Sequence, residues 1–438
     1  MRIDRLTIAN FKKFKTQAFT FHPKFTLLVG DNAAGKTTVL DALAVAAGVW
    51  LVESPDTTLY NSGRLILPNE IHVAPEDRGD RVQFNEIRPV IVSAKGRIGD
   101  HDDVIWTRQI RVNGQRTSNA DAQEALKYVK DIYERDQSGE RIVCPVLAYY
   151  GAGRAWLPSN ERLPKAAKTN GSARRWAAFY DCFNERIRTA ELKKWFLSET
   201  LAAANRSGQF RPGFEVVRRA ILRCVPGASK VWFDTDLDQI VLAIDGQPQP
   251  FGNLSAGQGM ILALVADLAI KAVTQNAFLV PPDELGAEDE PLPRVLQATP
   301  GVVLIDELDV HLHPKWQRRV ATDLKGTFPG LQFICTSHSP QVIGEVQPEE
   351  IRLLEGGQVI TPARSFGIDS SRVLEELMGA ASRDNSVEAS LRNLFGLIDQ
   401  EDFDGARKVL PQIEAQIGPD DPEVTRARTL MAFLESKA

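Results

Sequence analysis

Residues 30–37 of this chain read GDNAAGKT, a match to the pattern GxxxxGK[ST] that constrains the fold more than any other segment. A short apolar run at 25–29 precedes the match, and apolar residues at helical spacing follow it from Lys36 onward. A strand, a glycine-rich turn and a helix in this order aim backbone N–H groups and a helix N-terminus at a phosphate. The sequence therefore predicts a nucleotide-binding site on an α/β fold.

Four residues of this phosphate loop (residues 30–37) have specific expected roles: two glycines shape the backbone, and two side chains contact the ligand. Glycine at positions 30 and 35 lets the backbone turn back on itself, so that successive N–H groups point at phosphate oxygens. Lys36 is expected to reach the β- and γ-phosphates, and Thr37 to offer its hydroxyl to Mg²⁺.

A second motif lies far downstream, where the apolar run 302–305 ends in the acidic pair Asp306-Glu307. At the end of a buried strand, Asp306 is placed to hold Mg²⁺ directly or through water, and Glu307 to orient an attacking water molecule. A solvated strand end is the alternative, and the phosphate loop in the same chain argues against it.

Two further motifs complete the set. Residues 254–258 read LSAGQ and precede the apolar stretch 260–272. Ser255 is expected to cap a helix there, with its hydroxyl and the Gly257 amide free to meet a γ-phosphate from outside. His338 follows a predicted strand and is expected to contact the γ-phosphate and sense its loss.

Composition limits the class of protein. The chain has 438 residues and a formal net charge of -5, so nothing global requires nucleic acid. Its 4 cysteines are far apart and form no CxxC pair, which suits a reducing cytosol. The apolar stretches 39–52 and 260–272 are too short or too charged to cross a bilayer and are predicted to be buried helices. With no signal peptide expected, we predict a cytoplasmic protein without a membrane partner.

The pattern of elements divides the chain into four predicted parts. They are an N-terminal lobe with the phosphate loop at 1–154, an inserted helical lobe at 155–230, a C-terminal lobe with the other three motifs at 231–365, and a helical C-terminal tail at 366–438. Proline-rich residues 281–300 are predicted to form an exposed loop.

Together with the opening segment 8–14, IANFKKF, these motifs resemble the ABC-type ATPase heads of the RecF, SMC and OLD group. The resemblance covers about residues 1–365. It implies an α/β P-loop ATPase head with an inserted helical lobe and a helical C-terminal tail. In such heads the LSxGQ element of one copy covers the nucleotide held by a second copy. ATP and Mg²⁺ are therefore the implied cofactors, and a homodimer closed around ATP is the implied assembly.

The resemblance also assigns residues to roles. It makes Lys36, Glu307 and His338 catalytic, and Thr37 and Asp306 ligands of the metal. The implied nucleotide-binding set is Gly30, Asn32, Ala33, Ala34, Gly35, Lys36, Thr37, Thr38, Ser255, Gly257 and Gln258.

Within that group, the chain resembles the PtuA-like ATPase of Septu and retron-associated antiphage systems. It lacks the long coiled coil of SMC proteins and the nuclease domain of OLD proteins, so it should not cut DNA itself. The resemblance implies a regulatory ATPase that controls a separate HNH-type nuclease, with a higher homo-oligomer as a further candidate assembly. The alternatives are a RecF-like repair ATPase that binds DNA junctions and a non-hydrolysing scaffold held together by ATP.

Several features keep more than one interpretation. His311 and His313 form either an interface turn before Pro314 or a metal-binding pair. Arg154 serves the phosphates, the dimer seam or a plain surface turn. A basic cluster in the helical lobe is either a DNA-binding face or a solvated helix surface. Its members are Arg174, Arg175, Arg186, Arg188, Lys193, Lys194, Arg218, Arg219 and Arg223. Apolar faces in the tail are expected to dock a partner or to pack on the chain's own lobe.

Overall fold

A computed structural model describes residues 1–56, 63–79, 81–155, 173–279 and 292–436, without the side chains of residues 154, 155, 173 and 174. The chain forms two compact units, Met1–Ile368 and Asp369–Ala438. The predicted tail begins near this division, and the other predicted parts all lie within the first unit.

A six-stranded sheet forms the centre of the first unit. Its order is β15-β14-β3-β13-β12-β8, and every neighbouring pair is parallel except β14 with β15. The strands are β3 (Phe25–Gly30), β8 (Val146–Tyr150), β12 (Gly301–Ile305), β13 (Leu331–Thr336), β14 (Ile351–Glu355) and β15 (Gln358–Ile360). β8, β12 and β13 are buried along their whole length, as expected for apolar runs in a parallel sheet covered on both faces. The predicted buried strand before Asp306 and the predicted strand before His338 are confirmed.

A second, antiparallel sheet has the order β2-β1-β6-β7, and all of its strands come from the N-terminal lobe. Burial alternates along β6 from Val90 to Ile98, so one face of this sheet packs on the core. The strands are β1 (Arg2–Phe11), β2 (Phe14–Thr20), β6 (Val90–Ile98) and β7 (His101–Ile110). The remaining strands form a hairpin, β4 (Val73–Asp77) with β5 (Val82–Glu86), and a three-stranded sheet, β9 (Ala228–Asp234), β10 (Gln239–Ile244) and β11 (Gln247–Pro250).

Nine α-helices belong to the described part of the first unit. They are α1 (Lys36–Ala47), α2 (Gln123–Gln137), α3 (Ala173–Trp176), α4 (Thr189–Ala204), α5 (Pro212–Cys224), α6 (Ala256–Gln275), α7 (Arg294–Ala298), α8 (Pro314–Thr327) and α9 (Pro340–Ile343). Within the predicted helical lobe the structure has α3, α4 and α5, and β9 begins at its end. Residues 156–172 of that lobe lie outside the described residues.

The predicted loop at 281–300 is wrong over its second half. Residues 280–291 lie outside the described part of the chain, but 294–298 form α7 rather than a loop. The helix forms because Val295 and Leu296 bury their side chains almost completely, at 0% and 1% exposed. Tertiary burial has overridden the proline-rich local signal there.

Helix α6 is the most apolar of the long helices. Among the described residues it is the one helix long and apolar enough to span a bilayer, and 61% of its most apolar window is buried inside the fold. Within it, 260–272 is the buried helix that the sequence predicts.

The second unit contains α10 (Ser370–Arg372), α11 (Asn385–Asp399), α12 (Phe403–Ile417) and α13 (Pro422–Glu435). An aspartate caps each of the three long helices: Asp384, Asp402 and Asp421 accept hydrogen bonds from first-turn backbone N–H groups. The three helices share a core of their own. It consists of Leu391, Leu394, Ile398, Ala406, Leu410, Ile413, Val424, Ala427 and Met431. The apolar faces of the tail therefore pack against one another, an outcome that neither sequence interpretation included.

Candidate nucleotide-binding site

The phosphate loop connects the carboxyl end of β3 to the start of α1, as the sequence predicts. Gly30 leaves no room for a side chain, because a Cβ there would lie 2.6 Å from the carbonyl oxygen of Leu354. Gly35 has a φ of +104°, and a Cβ would lie 2.6 Å from the ring of Phe14. Both positions need glycine for the loop to close against its neighbours.

Lys36 is buried at the base of this loop, with 7% of its surface exposed. Its ammonium group donates to the carbonyl oxygens of Gly30 and Asp31, at 2.8 and 3.0 Å. Burial lowers the pKa of Lys36, and the nearby carboxylate of Asp306 opposes that shift. A buried cation held by carbonyl oxygens is suited to receive an anion such as a phosphate.

The other loop residues differ in exposure. Asn32, Ala33 and Thr37 are exposed, Ala34 is half-buried, and Thr38 is buried at the first turn of α1. Ala33 has a left-handed backbone, with a φ of 64°. Asn32, Ala33 and Thr37 are therefore accessible from solvent.

The acidic strand end meets the phosphate loop directly. Thr37 Oγ1 donates to Asp306 Oδ2 at 2.8 Å, and Thr336 Oγ1 donates to Asp306 Oδ1 at 2.6 Å. The backbone N–H of Asp306 donates to the carbonyl oxygen of Tyr150 at 2.8 Å. A hydroxyl and a carboxylate held side by side are oxygen ligands of the kind that Mg²⁺ prefers, so the residues present fit this ion.

Glu307 and His338 follow the ends of neighbouring strands. The N–H of Glu307 donates to Thr336 Oγ1 at 2.8 Å, and its φ of 50° is left-handed. Asp309 accepts from Ser337 Oγ at 2.5 Å and from the His338 N–H at 3.4 Å. The turn after β13 is thereby tied to the turn after β12, which brings the predicted base and switch residues to the same sheet edge.

Residues 254–258 form the start of α6. Ser255 Oγ accepts from the N–H of Gln258 at 3.3 Å, and the N–H of Ser255 donates to Gln258 Oε1 at 2.9 Å. This reciprocal pair is a capping box. Within the described residues, no hydrogen bond joins Ser255, Gly257 or Gln258 to the phosphate loop, and the side chain of Ser255 is exposed.

Gly257 joins this helix start to the turn after Asp309. A Cβ at Gly257 would lie 2.5 Å from the carbonyl oxygen of His311. His313 caps α8, because its ring nitrogen accepts from the N–H of Lys315 at 3.3 Å. The described residues include no group of three or more His, Cys, Asp or Glu that could hold a metal ion.

The turn between β1 and β2 covers the phosphate loop. The ammonium of Lys13 donates to the carbonyl oxygen of Ala33, and the ring of Phe14 lies over Gly35. Lys12 forms an ion pair with Asp41 on α1. The IANFKKF segment therefore holds the loop and its helix from outside, a contact that the sequence alone does not show.

A network of buried charges holds the turn between β1 and β2 in place. Asp41 and Glu70 are 3% and 1% exposed, and Arg64 bridges them at 3.4 and 2.5 Å. Lys12 adds a second cation, 3.5 Å from Glu70. These two buried acids and two cations fix the turn between β1 and β2 to helix α1.

Glu185 is a residue near the site that sequence reasoning missed. Its carbonyl oxygen accepts from the N–H of Gly151 at 2.9 Å, and a Cβ on Gly151 would touch its carboxylate. Although the residue is exposed, partial desolvation raises the pKa of its carboxyl group, and the charges of Asp41 and Asp306 raise it further. The one sequence feature related to this contact is the glycine at position 151, directly after strand β8.

Most of the basic cluster in the helical lobe is matched by acids. Arg175 pairs with Asp136, Arg188 with Asp181 and Lys193 with Asp238, while Arg218 and Arg219 share Glu215. The described surface therefore carries less free positive charge than the sequence suggests.

The chain is similar to several known proteins. The profile of a family described as "AAA domain" matches residues 5–205, and that of "AAA domain, putative AbiEii toxin, Type IV TA system" matches residues 241–344. The "Retron Ec83 probable ATPase" of Escherichia coli is 26% identical, over 96% of this chain and 85% of that protein. "Septu protein PtuA" of Bacillus mycoides (strain KBAB4) is 23% identical, over 81% of this chain and 40% of that protein. The "SMC head domain from Thermotoga maritima" covers 81% of this chain and 94% of that one, with 15% identity and a TM-score of 0.42.

A phosphate loop on a parallel sheet, joined to an acidic strand end and accompanied by a capped LSAGQ helix, is the arrangement of a P-loop ATPase head. Both matching profiles describe an AAA domain. More particularly, the relatives of this chain include a retron probable ATPase and Septu protein PtuA.

Proposed function

We propose that this chain is the ATP-binding and ATP-hydrolysing regulatory subunit of an antiphage defence complex. Two copies close around ATP and control a separate nuclease of the HNH type. The observation that carries the proposal is the 2.8 Å hydrogen bond from Thr37 to Asp306, which joins two motifs 269 residues apart at one sheet edge. The retron and Septu relatives support the defence context. A cytoplasmic location is part of the same proposal.

Each residue at the edge has a proposed role in hydrolysis. Lys36 binds the β- and γ-phosphates, and Glu307 orients and deprotonates the attacking water. Thr37 and Asp306 would hold Mg²⁺, which supplies positive charge against the phosphate oxygens. His338 contacts the γ-phosphate and responds to its release.

The position of Ser255 supports a dimer. Its side chain is exposed, and its hydroxyl accepts a hydrogen bond from the N–H of Gln258 in the capping box. A helix start with exposed N–H groups is a binding site for an anion. In the engaged dimer, each γ-phosphate lies between Lys36, Glu307 and His338 of one copy and Ser255 of the other. Hydrolysis then releases the two copies.

The nuclease partner follows from the resemblance to PtuA-like ATPases. In Septu-type and retron-associated systems, that resemblance implies an ATPase assembled with an HNH endonuclease. We propose that ATP-driven closure of the dimer sets the state of this nuclease, so that the chain regulates DNA cleavage without performing it.

Affinity purification from the native host tests the proposal. Tagged Glu307→Gln and Lys36→Ala chains are isolated in parallel, and the copurifying proteins are identified by mass spectrometry. We expect Glu307→Gln to retain ATP as a stable dimer and to bring down a small HNH-type nuclease in stoichiometric amount. Recovery of the chain alone, or with recombination proteins, contradicts the role in controlling a nuclease. Unchanged hydrolysis by Glu307→Gln contradicts the assignment of the base.

A further inference from the structure

Tyr150 touches two parts of the first unit that contain different motifs. It ends β8, where its carbonyl oxygen accepts from the N–H of Asp306 at 2.8 Å. Its hydroxyl donates to Asp267 Oδ2 on α6 at 2.6 Å. One residue therefore holds the backbone of the acidic strand end and, through its side chain, the helix that begins with Ser255.

The contact on α6 is unusual for that helix. Of its 20 residues, only Asp267 and Lys271 are charged, and they lie one turn apart. They form an ion pair in which Lys271 is 15% and Asp267 28% exposed. Lys271 also lies over the ring of Tyr150, at 5.8 Å from its centroid. The sole charged pair of this mostly apolar helix is thus arranged around Tyr150.

Helix α6 connects the contact between Tyr150 and Asp267 to Ser255 at its start. Asp267 follows Ser255 by three turns of α6, about 18 Å at 1.5 Å per residue. An unbroken helix of this length moves as one body, since bending it requires a proline, a bulge or an inserted group. A displacement of Asp306 that reaches Tyr150 is therefore passed to Ser255.

We propose that Tyr150 is a positioning residue that couples the nucleotide held by a chain to the LSxGQ face of the same chain. The proposal rests on the proposed dimer, in which that face completes the site on the second copy. Tyr150 acts through Asp267 and α6 and does not touch the nucleotide. Asp306 would help to hold Mg²⁺-nucleotide at one site, and the contact between the Tyr150 hydroxyl and Asp267 would set the position of Ser255 at the other.

This arrangement predicts cooperativity between the two sites. Coupling between sites is a free energy that each ligand exerts on the other, and it appears as a Hill coefficient above about 1 for a dimer. Tyr150→Phe keeps the ring and removes the hydroxyl, so the variant folds with nearly the same core volume. It separates the coupling from both the packing and the nucleotide contacts.

The experiment compares three chains: wild type, Tyr150→Phe and Tyr128→Phe. Tyr128 is the matched control, because its hydroxyl also donates to a carboxylate, that of Glu124 at 3.1 Å, on a helix far along the sequence from these motifs. Each chain is assayed for binding of a fluorescent ATP analogue, for ATP-dependent dimerisation, and for hydrolysis over a range of ATP concentrations.

We expect Tyr150→Phe to bind the analogue as the wild type does, while its Hill coefficient for hydrolysis falls to about 1. Tyr128→Phe should match the wild type in all three assays. An unchanged Hill coefficient in Tyr150→Phe, in a protein that dimerises with ATP, overturns the inference. If the wild type does not dimerise with ATP, the proposed function has failed instead.

A double-mutant cycle locates the coupling in the hydroxyl contact. If the contact carries the effect, Asp267→Ala alone lowers the Hill coefficient as Tyr150→Phe does, and the two substitutions together lower it no further, because each removes the same interaction. Additive losses would show that the two side chains act independently and would also overturn the inference.

Discussion

The hydroxyl of Thr37 donates a hydrogen bond to Asp306 Oδ2 at 2.8 Å, and this bond joins the phosphate loop directly to the acidic strand end. Because the two oxygens already lie side by side, a metal ion between them needs little rearrangement of the protein.

This pair gives the first prediction. Thr37→Ala should lower ATP hydrolysis by about 100-fold, since one preorganised ligand of the charged centre is lost. Thr37→Ser keeps the hydroxyl and should retain most activity. A Mg²⁺ titration of the hydrolysis rate checks both variants. Thr37→Ala with the Mg²⁺ dependence of the wild type would remove Thr37 from the metal site.

The start of α6 gives the second prediction, with a control in the same helix. In Gly257→Ala the new Cβ would lie 2.5 Å from the carbonyl oxygen of His311, so the helix start must shift. In Gly259→Ala the nearest atom is the ring of Phe251 at 3.8 Å, an ordinary contact. Misplacing a reacting group by about 1 Å can cost about 100-fold in rate. We expect that loss of hydrolysis for Gly257→Ala, with nucleotide binding retained, and near wild-type hydrolysis for Gly259→Ala. Equal rates for the two variants would count against a functional role of this helix start.

The buried charge network gives a prediction about stability. Asp41→Ala leaves Lys12 and Arg64 without one of their two acids in a site where Asp41 is 3% exposed. Removing one partner of a buried ion pair costs about 3 kcal/mol, whereas removing an exposed one costs less than about 1 kcal/mol. Asp238→Ala, which breaks the exposed pair with Lys193, is the control. Denaturant unfolding measures the difference in stability between the two variants. Similar midpoints would mean that the charge network does not fix the turn between β1 and β2 to α1.

Glu185 gives a prediction about pH. Its pKa is raised in the folded chain, so folding disfavours the ionised carboxylate. Stability from the protonated form is present below the unfolded pKa of about 4.3 and is lost as the pH rises through the folded value. Glu185→Gln stays neutral, so it should melt at a higher temperature than the wild type near neutral pH and at a similar temperature near about pH 4.

A matched variant controls for the general loss of one charge. Glu134 is 63% exposed on α2, so Glu134→Gln should show no such pH-dependent gain. A gain for Glu185→Gln that is the same at both pH values would point to packing rather than to the charges of Asp41 and Asp306.

The motifs could be found from the sequence because each one is local. The phosphate loop needs only glycine at positions 30 and 35 between a strand and a helix, and Ser255 needs only Gln258 three residues later to form its capping box. Asp306 was found because an apolar run ends there.

The contacts between motifs could not be found in this way. Asp309 binds the turn at Ser337, and Glu185 lies against Gly151, through pairings that depend on strand order rather than on neighbouring residues. The packing of the tail could not be predicted for a similar reason. An apolar helical face in a sequence does not say which other face covers it, and here α11, α12 and α13 cover one another.

A mixing experiment with two inactive chains tests directly whether each hydrolysis site is built from two copies. Lys36→Ala disables the phosphate loop. Ser255→Arg blocks the start of α6, which in the proposed dimer completes the nucleotide site of the other copy. In a mixed dimer, the loop of the Ser255→Arg chain meets the intact Ser255 of the Lys36→Ala chain, so one of two sites is complete. Half of the randomly formed dimers are mixed, and hydrolysis should therefore recover to about a quarter of the wild-type rate. A mixture as inactive as its parents, or full activity of Ser255→Arg alone, would contradict a site built from two copies.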